Sequence, residues 1–250
     1  MLARARRWLV MRLYSVALCH SRLAVIFQNP DDRDTLLRNG CLKAEDVRMI
    51  RGSGVALEEC PLQPEPAGPP VVVMAARLLR DKGVFEYVEA ARLLKQRGVA
   101  VVMRLIGAPD PGNPTSVTRK ELDAWQDEAV VDVAGFRRNI PVQYAAAHIV
   151  CLPSYREGLP KSLIEAAACG RAVVTSDVPG CRDAIIPNKT GLLVPAKDAR
   201  ALADAIQYLI EHPAQRREMG QAGRVLAEEV FAIEKIVSQH LDIYRELLEP

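Results

Sequence analysis

Beyond residue 70 the chain alternates between short apolar runs and longer amphipathic runs. The apolar runs are rich in β-branched residues and bounded by turn residues, as expected for parallel strands that helices cover on both faces. Strands are predicted at 71–75, 100–106, 130–133, 148–152, 172–175 and 192–194. Helices are predicted at 84–96, 116–127, 141–147, 160–169, 182–185 and 200–211. This βαβ alternation predicts an α/β fold with a doubly wound parallel sheet, in which ligands bind at the carboxyl ends of the strands.

The first 70 residues and the last 20 follow other patterns. Residues 1–22 predict a basic helix, followed by short strands at 23–27 and 47–50 with a helix from Pro30 between them. Five prolines lie within residues 61–70, which predicts an extended linker and a domain boundary. Residues 231–248 predict a final helix with a broad apolar stripe.

Composition narrows the classes of function. The 33 basic and 31 acidic residues nearly cancel, so the overall charge indicates no nucleic-acid partner. The six cysteines form no CxxC motif and the four histidines lack zinc-ligand spacing, which predicts free thiols in the cytoplasm and no metal site. The basic N-terminal segment is too short and too charged to span a bilayer. It could lie on an anionic membrane, although packing on protein is the favoured interpretation.

Two glutamates near the fourth strand of the series are the main candidates for chemistry. Glu157 precedes a predicted helix, and Glu165 lies inside it on a stripe of small side chains with Ser162 and Cys169. A carboxylate in that setting needs hydrogen-bond donors, which the hydroxyl groups of a ligand would supply. The free N–H groups after Glu157 would suit a phosphate. The alternative is a surface helix with an ion pair between Lys161 and Glu165, one turn apart.

A cationic loop follows the first strand of the series. Arg77, Arg80 and Lys82 would suit a diphosphate, because arginine binds phosphate bidentately and lysine acts as a point charge. A solvated loop partly neutralised by Asp81 is the alternative. The turn that contains Arg137 could hold a nucleobase or be a plain turn. The chain contains neither the glycine fingerprint of dinucleotide-binding proteins nor a P-loop, which argues against a nicotinamide cofactor.

Several motifs stand in the order of a known family. They are Arg77 with Lys82-Gly83, the Gly135-Phe136-Arg137 turn, Glu157 with Glu165, and Thr190 to Pro195. In this order they resemble the C-terminal, Rossmann-like half of a retaining family 4 glycosyltransferase with the GT-B fold, from about residue 25 to residue 229. The amino-acid sequences of residues 28–32 and 155–161 further resemble those of bacterial enzymes that build capsule, exopolysaccharide or O-antigen units on a lipid carrier. One departure is Ala56, where family members usually carry an aspartate.

The resemblance implies a role for each matching residue. Arg77 and Lys82 would hold the donor diphosphate and stabilise the leaving nucleoside diphosphate, without a metal or other cofactor. Glu157 would bind hydroxyls of the transferred sugar, Glu165 would bind the ribose diol, and Arg137 would lie beside the base. The backbone lining of the same pocket would come from Gly158, Leu159 and Pro160.

The resemblance also implies a domain organisation and an activity. Residues 1–60 would be a remnant of a largely missing N-terminal acceptor domain plus a connecting segment. Residues 61–70 would be the linker, 71–230 the nucleotide-sugar-binding domain, and 231–250 a crossover helix. The implied activity is transfer of sugar from a UDP- or GDP-sugar to a lipid-linked glycan acceptor with retention, in the cytoplasm or at the inner face of the membrane.

Two other interpretations stay open at this stage. The chain could be a truncated nucleotide-sugar-binding module, or a subunit that needs a separate acceptor domain, because a GT-B site closes between two domains. It could also be a sugar-nucleotide epimerase or a phosphorylase on the same architecture. The combination of the cationic loop with paired glutamates argues against the epimerase and the phosphorylase.

Overall fold

The computed structural model describes residues 2–249 and contains eight parallel-paired strands in two sheets. In chain order the strands are β1 (Val25–Phe27), β2 (Val47–Met49), β3 (Val71–Ala75), β4 (Val102–Ile106), β5 (Asp132–Gly135), β6 (Ile149–Leu152), β7 (Ala172–Ser176) and β8 (Gly191–Val194). β1 and β2 form a small sheet of their own. The other six have the order β5-β4-β3-β6-β7-β8, in which the chain runs outward from β3 and then returns to begin again at β6. This order confirms the predicted doubly wound sheet.

Nine α-helices connect and flank these strands in the described part of the chain. They are α1 (Leu2–Ala17), α2 (Pro30–Arg38), α3 (Val84–Gln96), α4 (Arg119–Asp127), α5 (Ile140–Ala145), α6 (Lys161–Ala168), α7 (Ala199–Glu211), α8 (Pro213–Leu226) and α9 (Ile233–Leu248). Helix α3 packs against α7, and α6 packs against α8. Strands β6 and β7 are buried along their whole length, because helices cover the centre of the sheet.

The structure corrects several predicted boundaries. β4 begins two residues later than predicted, and β5 is shifted toward the carboxyl end because Ala129 adopts a left-handed turn conformation before it. The helix predicted at 182–185 is a single 3-10 turn, Arg182–Ala184. Helix α8 was not predicted. It begins at Pro213, where the missing N–H of proline costs no helical hydrogen bond.

The proline-rich segment 61–70 contains no helix or strand, and buried arginines bind it to the main sheet domain. The Arg216 guanidinium donates two hydrogen bonds to the Glu65 carboxylate, at 2.7 and 2.8 Å. Arg171, which is also buried, donates to the Gln63 carbonyl oxygen at 2.8 Å. Charge-assisted hydrogen bonds therefore fix the segment at Gln63 and Glu65.

The two terminal helices keep part of their apolar surface exposed. On α1 the exposed side chains include Trp8 and Leu13. On α9, Ile236 and Ile243 pack with Ile50 in a second small core, whereas neighbouring apolar residues of the same helix remain exposed. Within residues 2–249, no helix has the length and apolar character needed to cross a membrane.

Candidate functional site

Two loops at the carboxyl ends of β3 and β6 lie in direct contact. The carbonyl oxygen of Asp81, in the 3-10 turn after β3, accepts hydrogen bonds from the Tyr155 N–H at 2.9 Å and from Ser154 Oγ at 3.0 Å. Gly83, with φ of 76°, permits this approach, because a Cβ atom there would overlap the carbonyl oxygen of Pro153. The loops that carry the predicted cations and the first glutamate are thus bound to each other.

This contact brings Lys82 against Glu157. Lys82 Nζ lies 2.5 Å from Glu157 Oε1, and only 23% and 12% of the two side chains are exposed. The backbone of Glu157 is fixed as well, because its N–H donates to the Pro179 carbonyl oxygen at 3.1 Å. The site therefore holds one positive and one negative group, both largely shielded from water, at the rim of the sheet.

A cavity of about 460 Å³ opens at the same edge of the sheet, between the ends of β3, β4 and β5 and the helices α5 and α6. Its polar and aromatic lining comes from Arg77, Asp110, Phe136, Arg137, Tyr144, Ser162 and Glu165. The rest of its wall is formed by alanine, glycine, proline and isoleucine residues. A cavity of this size and lining is typical of a small-molecule binding site.

Glu165 is the most shielded carboxylate of the cavity wall. Its side chain is 14% exposed, and burial raises its pKa above the ordinary value. Lys161 Nζ lies 3.5 Å from Glu165 Oε1, so the ion pair of the alternative interpretation is present. The helix is nevertheless no surface helix, because it presents Glu165 to a cavity. The carboxylate keeps acceptor capacity for a ligand, since a carboxylate accepts up to about four hydrogen bonds.

Helix α6 is positioned by the apolar face that the sequence predicts. Leu163, Ile164, Ala167 and Ala168 are all buried. The helix ends in a Schellman motif, in which the N–H groups of Gly170 and the next residue donate to carbonyl oxygens of the last turn at 2.9 and 3.0 Å. Burial on one side and a fixed end leave Ser162 and Glu165 facing the cavity.

The structure separates the predicted site residues into two adjoining groups. Arg77, Arg137 and Glu165 line the cavity, whereas Lys82 and Glu157 are not part of its wall and pair with each other where the loops after β3 and β6 meet. Arg77 is mostly exposed, and its Nη1 lies 3.4 Å from Asp110 Oδ2. Gly158, Leu159 and Pro160, predicted to line the same pocket, are not part of this cavity wall: Gly158 is exposed, and Leu159 and Pro160 are buried.

The sequence analysis did not identify Asn29 as a residue that supports the site. Asn29 is fully buried, and its Nδ2 donates to the Gly158 carbonyl oxygen at 2.7 Å and to Asp32 Oδ2 at 2.9 Å. Its Oδ1 accepts from the Asp32 N–H at 2.9 Å and so caps helix α2. An ion pair between Asp32 and Arg156 reinforces the contact. The Asn-Pro pair in the sequence signals a helix cap, but it carries no signal for a contact 129 residues away.

Among the described residues, no group of three or more histidine, cysteine or acidic side chains has the arrangement of a metal site.

Comparison with known sequences gives one family and several curated relatives. The family described as glycosyl transferases group 1 matches residues 61–226. N,N'-diacetylbacillosaminyl-diphospho-undecaprenol alpha-1,3-N-acetylgalactosaminyltransferase of Campylobacter jejuni is 30% identical over 97% of this chain and 65% of the relative. Capsular polysaccharide biosynthesis glycosyltransferase CapM of Staphylococcus aureus is 27% identical over 72% of this chain and 47% of the relative. The chain spans less than two thirds of the length of the first curated relatives it matches.

Solved structures agree in fold. Sucrose-phosphate synthase from Thermosynechococcus elongatus superposes with a TM-score of 0.80 and 31% identity, over 95% of this chain and 61% of that one. Anabaena HepE in complex with UDP gives a TM-score of 0.81 at 21% identity, over 94% of this chain and 67% of that one. At that lower identity the second match supports the fold alone.

Proposed function

The chain belongs to the glycosyl transferases group 1 family, and from that premise we propose that it binds a nucleotide-sugar donor and transfers the sugar with retention of configuration. One observation carries the proposal: Arg77, Arg137 and Glu165 line a single cavity, and the shielded pair of Lys82 and Glu157 lies at the same edge of the sheet. Such an arrangement offers cations for a diphosphate and carboxylates for sugar hydroxyls at one edge of the sheet. That edge is where doubly wound sheets bind their ligands.

The two cations would act on the diphosphate. Arg77, loosely paired with Asp110 at 3.4 Å, is free to exchange that partner for phosphate oxygens. Lys82, held by Glu157, would supply a charge that is already in position. As the bond to the sugar breaks, negative charge grows on the leaving nucleoside diphosphate, and preorganised cations stabilise this charge more than they stabilise the ground state. We therefore propose that the reaction needs no metal ion.

The carboxylates would bind hydroxyl groups. Glu165, whose pKa burial raises, gains most from two donors, and the vicinal hydroxyls of a ribose supply them. Glu157 would bind the transferred sugar, together with the backbone of Gly158, Leu159 and Pro160. Arg137 would lie beside the base.

The acceptor is proposed from the relatives. The name of the Campylobacter protein describes a sugar carried on diphospho-undecaprenol, and CapM is named for capsular polysaccharide biosynthesis. A lipid-linked glycan is accordingly the acceptor that we propose for this chain, with the reaction in the cytoplasm at the inner face of the membrane. The arginines of helix α1 (Arg4, Arg6, Arg7 and Arg12) would favour contact with anionic lipid.

A ligand titration tests the proposal. UDP or GDP should raise the melting temperature of the protein by binding the folded state, in the presence of EDTA as well as in its absence. Glu165→Ala should abolish the rise. Asp123→Ala is the matched control, because it removes a comparable ion pair between residues one helical turn apart, Arg119 and Asp123 on α4, whose atoms lie 2.9 Å apart. It should leave the rise unchanged. A protein that responds to neither nucleotide would contradict the proposal, and binding without transfer to a lipid-linked glycan would limit it to a binding module.

A further inference from the structure

Two tyrosines in the core differ in how their hydroxyl groups are satisfied. Tyr87 and Tyr144 are both fully buried. Tyr87 Oη donates to the carbonyl oxygen of Val72 at 2.9 Å. Tyr144 Oη has no hydrogen-bond partner among the residues that the structure describes. Buried hydroxyls are normally paired, because an unpaired one loses its hydrogen bonds to water without compensation. The Tyr144 hydroxyl therefore calls for an explanation.

Its surroundings connect it with the nucleotide cavity. Tyr144 lines that cavity together with Ser162 and Glu165. Burial and the nearby negative charge of Glu165 raise the pKa of Tyr144, so the phenol stays protonated and remains a donor. The Ser162 hydroxyl lies close enough to oppose this rise of the Tyr144 pKa, yet no hydrogen bond joins it to Tyr144 Oη. The unpaired Tyr144 hydroxyl therefore lies near the Glu165 carboxylate, which can accept further hydrogen bonds.

Among the described residues, the Glu165 side chain makes only a long ion pair in the free protein. It is now directed at Lys161 Nζ, at 3.5 Å, and Lys161 is itself largely exposed. Because the separation is long and the lysine is exposed to solvent, this pair contributes little stability, so turning away from it costs little. On the cavity side, by contrast, lies a shielded hydroxyl whose hydrogen bond to a carboxylate would be charge-assisted and strong.

We propose that Tyr144 is a positioning residue for the donor: its hydroxyl donates to the Glu165 carboxylate when that side chain turns from Lys161 into the cavity to bind the ribose diol. The inference rests on the proposed function and deepens it, because it names the group that fixes the ribose-binding carboxylate. The free protein keeps an unpaired hydroxyl in its core, and ligand binding is the event that pairs it. Polar groups retained at the expense of stability are typical of binding sites.

Removing the single oxygen atom tests the inference, because positioning and structural roles predict opposite effects on stability. Tyr144→Phe should leave the melting temperature of the free protein equal to or above that of the wild type, since the unpaired hydroxyl is lost. Calorimetric titration should show about tenfold weaker binding of UDP or GDP, whichever the wild type binds, as expected for loss of one hydrogen bond to a charged group. Tyr87→Phe is the matched control, and it should lower the melting temperature and leave the affinity unchanged.

The 2′-deoxy form of the same nucleotide locates the effect. Wild-type protein should bind it more weakly than the ribonucleotide, and in Tyr144→Phe the difference should shrink, because a loosely held Glu165 gains less from the diol. Unchanged nucleotide affinity in Tyr144→Phe would overturn the inference, as would an equal loss for both nucleotides. Failure of the wild type to bind any nucleoside diphosphate would instead refute the proposed function, so the two failures are distinguishable.

Discussion

Substitution of Asn29 tests whether the N-terminal segment positions the loop that carries Glu157. In the free protein Asn29 makes a local cap bond to the Asp32 N–H at 2.9 Å and a tertiary bond to the Gly158 carbonyl oxygen at 2.7 Å. Asn29→Ala removes both bonds together with the contact from Nδ2 to Asp32 Oδ2. Asn29→Asp keeps the cap acceptor but replaces the donor by a carboxylate oxygen that faces a carbonyl and another carboxylate.

The magnitude follows from these contacts. Loss of a helix cap costs about 1 kcal/mol. Loss of the bond to Gly158 and of the bond to a charged acceptor adds about 2–4 kcal/mol of net hydrogen-bond energy. Asn29→Ala should therefore lower the free energy of unfolding by about 3–5 kcal/mol. Asn29→Asp should be at least as damaging, although asparagine and aspartate are equally good caps in isolated helices.

Urea denaturation measures the difference, and Asp198→Ala is the control. Asp198 Oδ1 caps helix α7 by accepting from the Ala201 N–H, also at 2.9 Å, and it is exposed. Its loss should cost only the cap, about 1 kcal/mol. If Asn29→Ala costs no more than Asp198→Ala, or if Asn29→Asp is as stable as the wild type, Asn29 is only a local cap and the reasoning is wrong.

Three further perturbations follow from the structure. Glu65→Ala leaves the buried Arg216 guanidinium without its carboxylate and should cost about 3–5 kcal/mol in chemical denaturation. Burial opposes ionisation of Glu65, but hydrogen bonding from Arg216 outweighs it and lowers the pKa of Glu65. The stabilisation should therefore be complete above the ordinary pKa of glutamate, about 4.3, and be lost as the pH falls through the lower pKa of the folded protein. The stability of Glu65→Gln should depend less on pH over the same range. Burial raises the pKa of Glu165, so the ionised carboxylate destabilises the free protein at neutral pH. Glu165→Gln should therefore have a higher melting temperature than the wild type at neutral pH without ligand, and this difference should disappear below about pH 4.3. Equal melting temperatures at neutral pH would contradict the burial cost. Gly83→Ala should destabilise the protein far more than Gly98→Ala. Both glycines have positive φ (76° and 70°), but only at Gly83 would a Cβ atom overlap a facing carbonyl oxygen. Equal losses in melting temperature would show that the close contact between the two loops is unimportant.

The central parallel strands and the helices packed on them are readable from the sequence. Strands such as β6 and β7 are buried on both faces, so every residue must be apolar or small, and the run is visible without any partner. The face of α6 is readable for the same reason, since Leu163, Ile164, Ala167 and Ala168 repeat with the helical period and are all buried. Helix α8 was missed because its sequence is largely polar and its packing face depends on small residues such as Gly220 and Gly223.

The candidate site is only partly of this kind. The residue types and their order along the chain point to a nucleotide-sugar pocket, because a doubly wound sheet brings the carboxyl ends of its strands to one edge whatever the details of the loops. The pairing of Lys82 with Glu157, the bond from Asn29 to Gly158 and the unpaired hydroxyl of Tyr144 have no counterpart in any local pattern. Each depends on contacts between segments far apart in the chain, and the energy of such contacts comes from burial and geometry that exist only once the sheet has assembled.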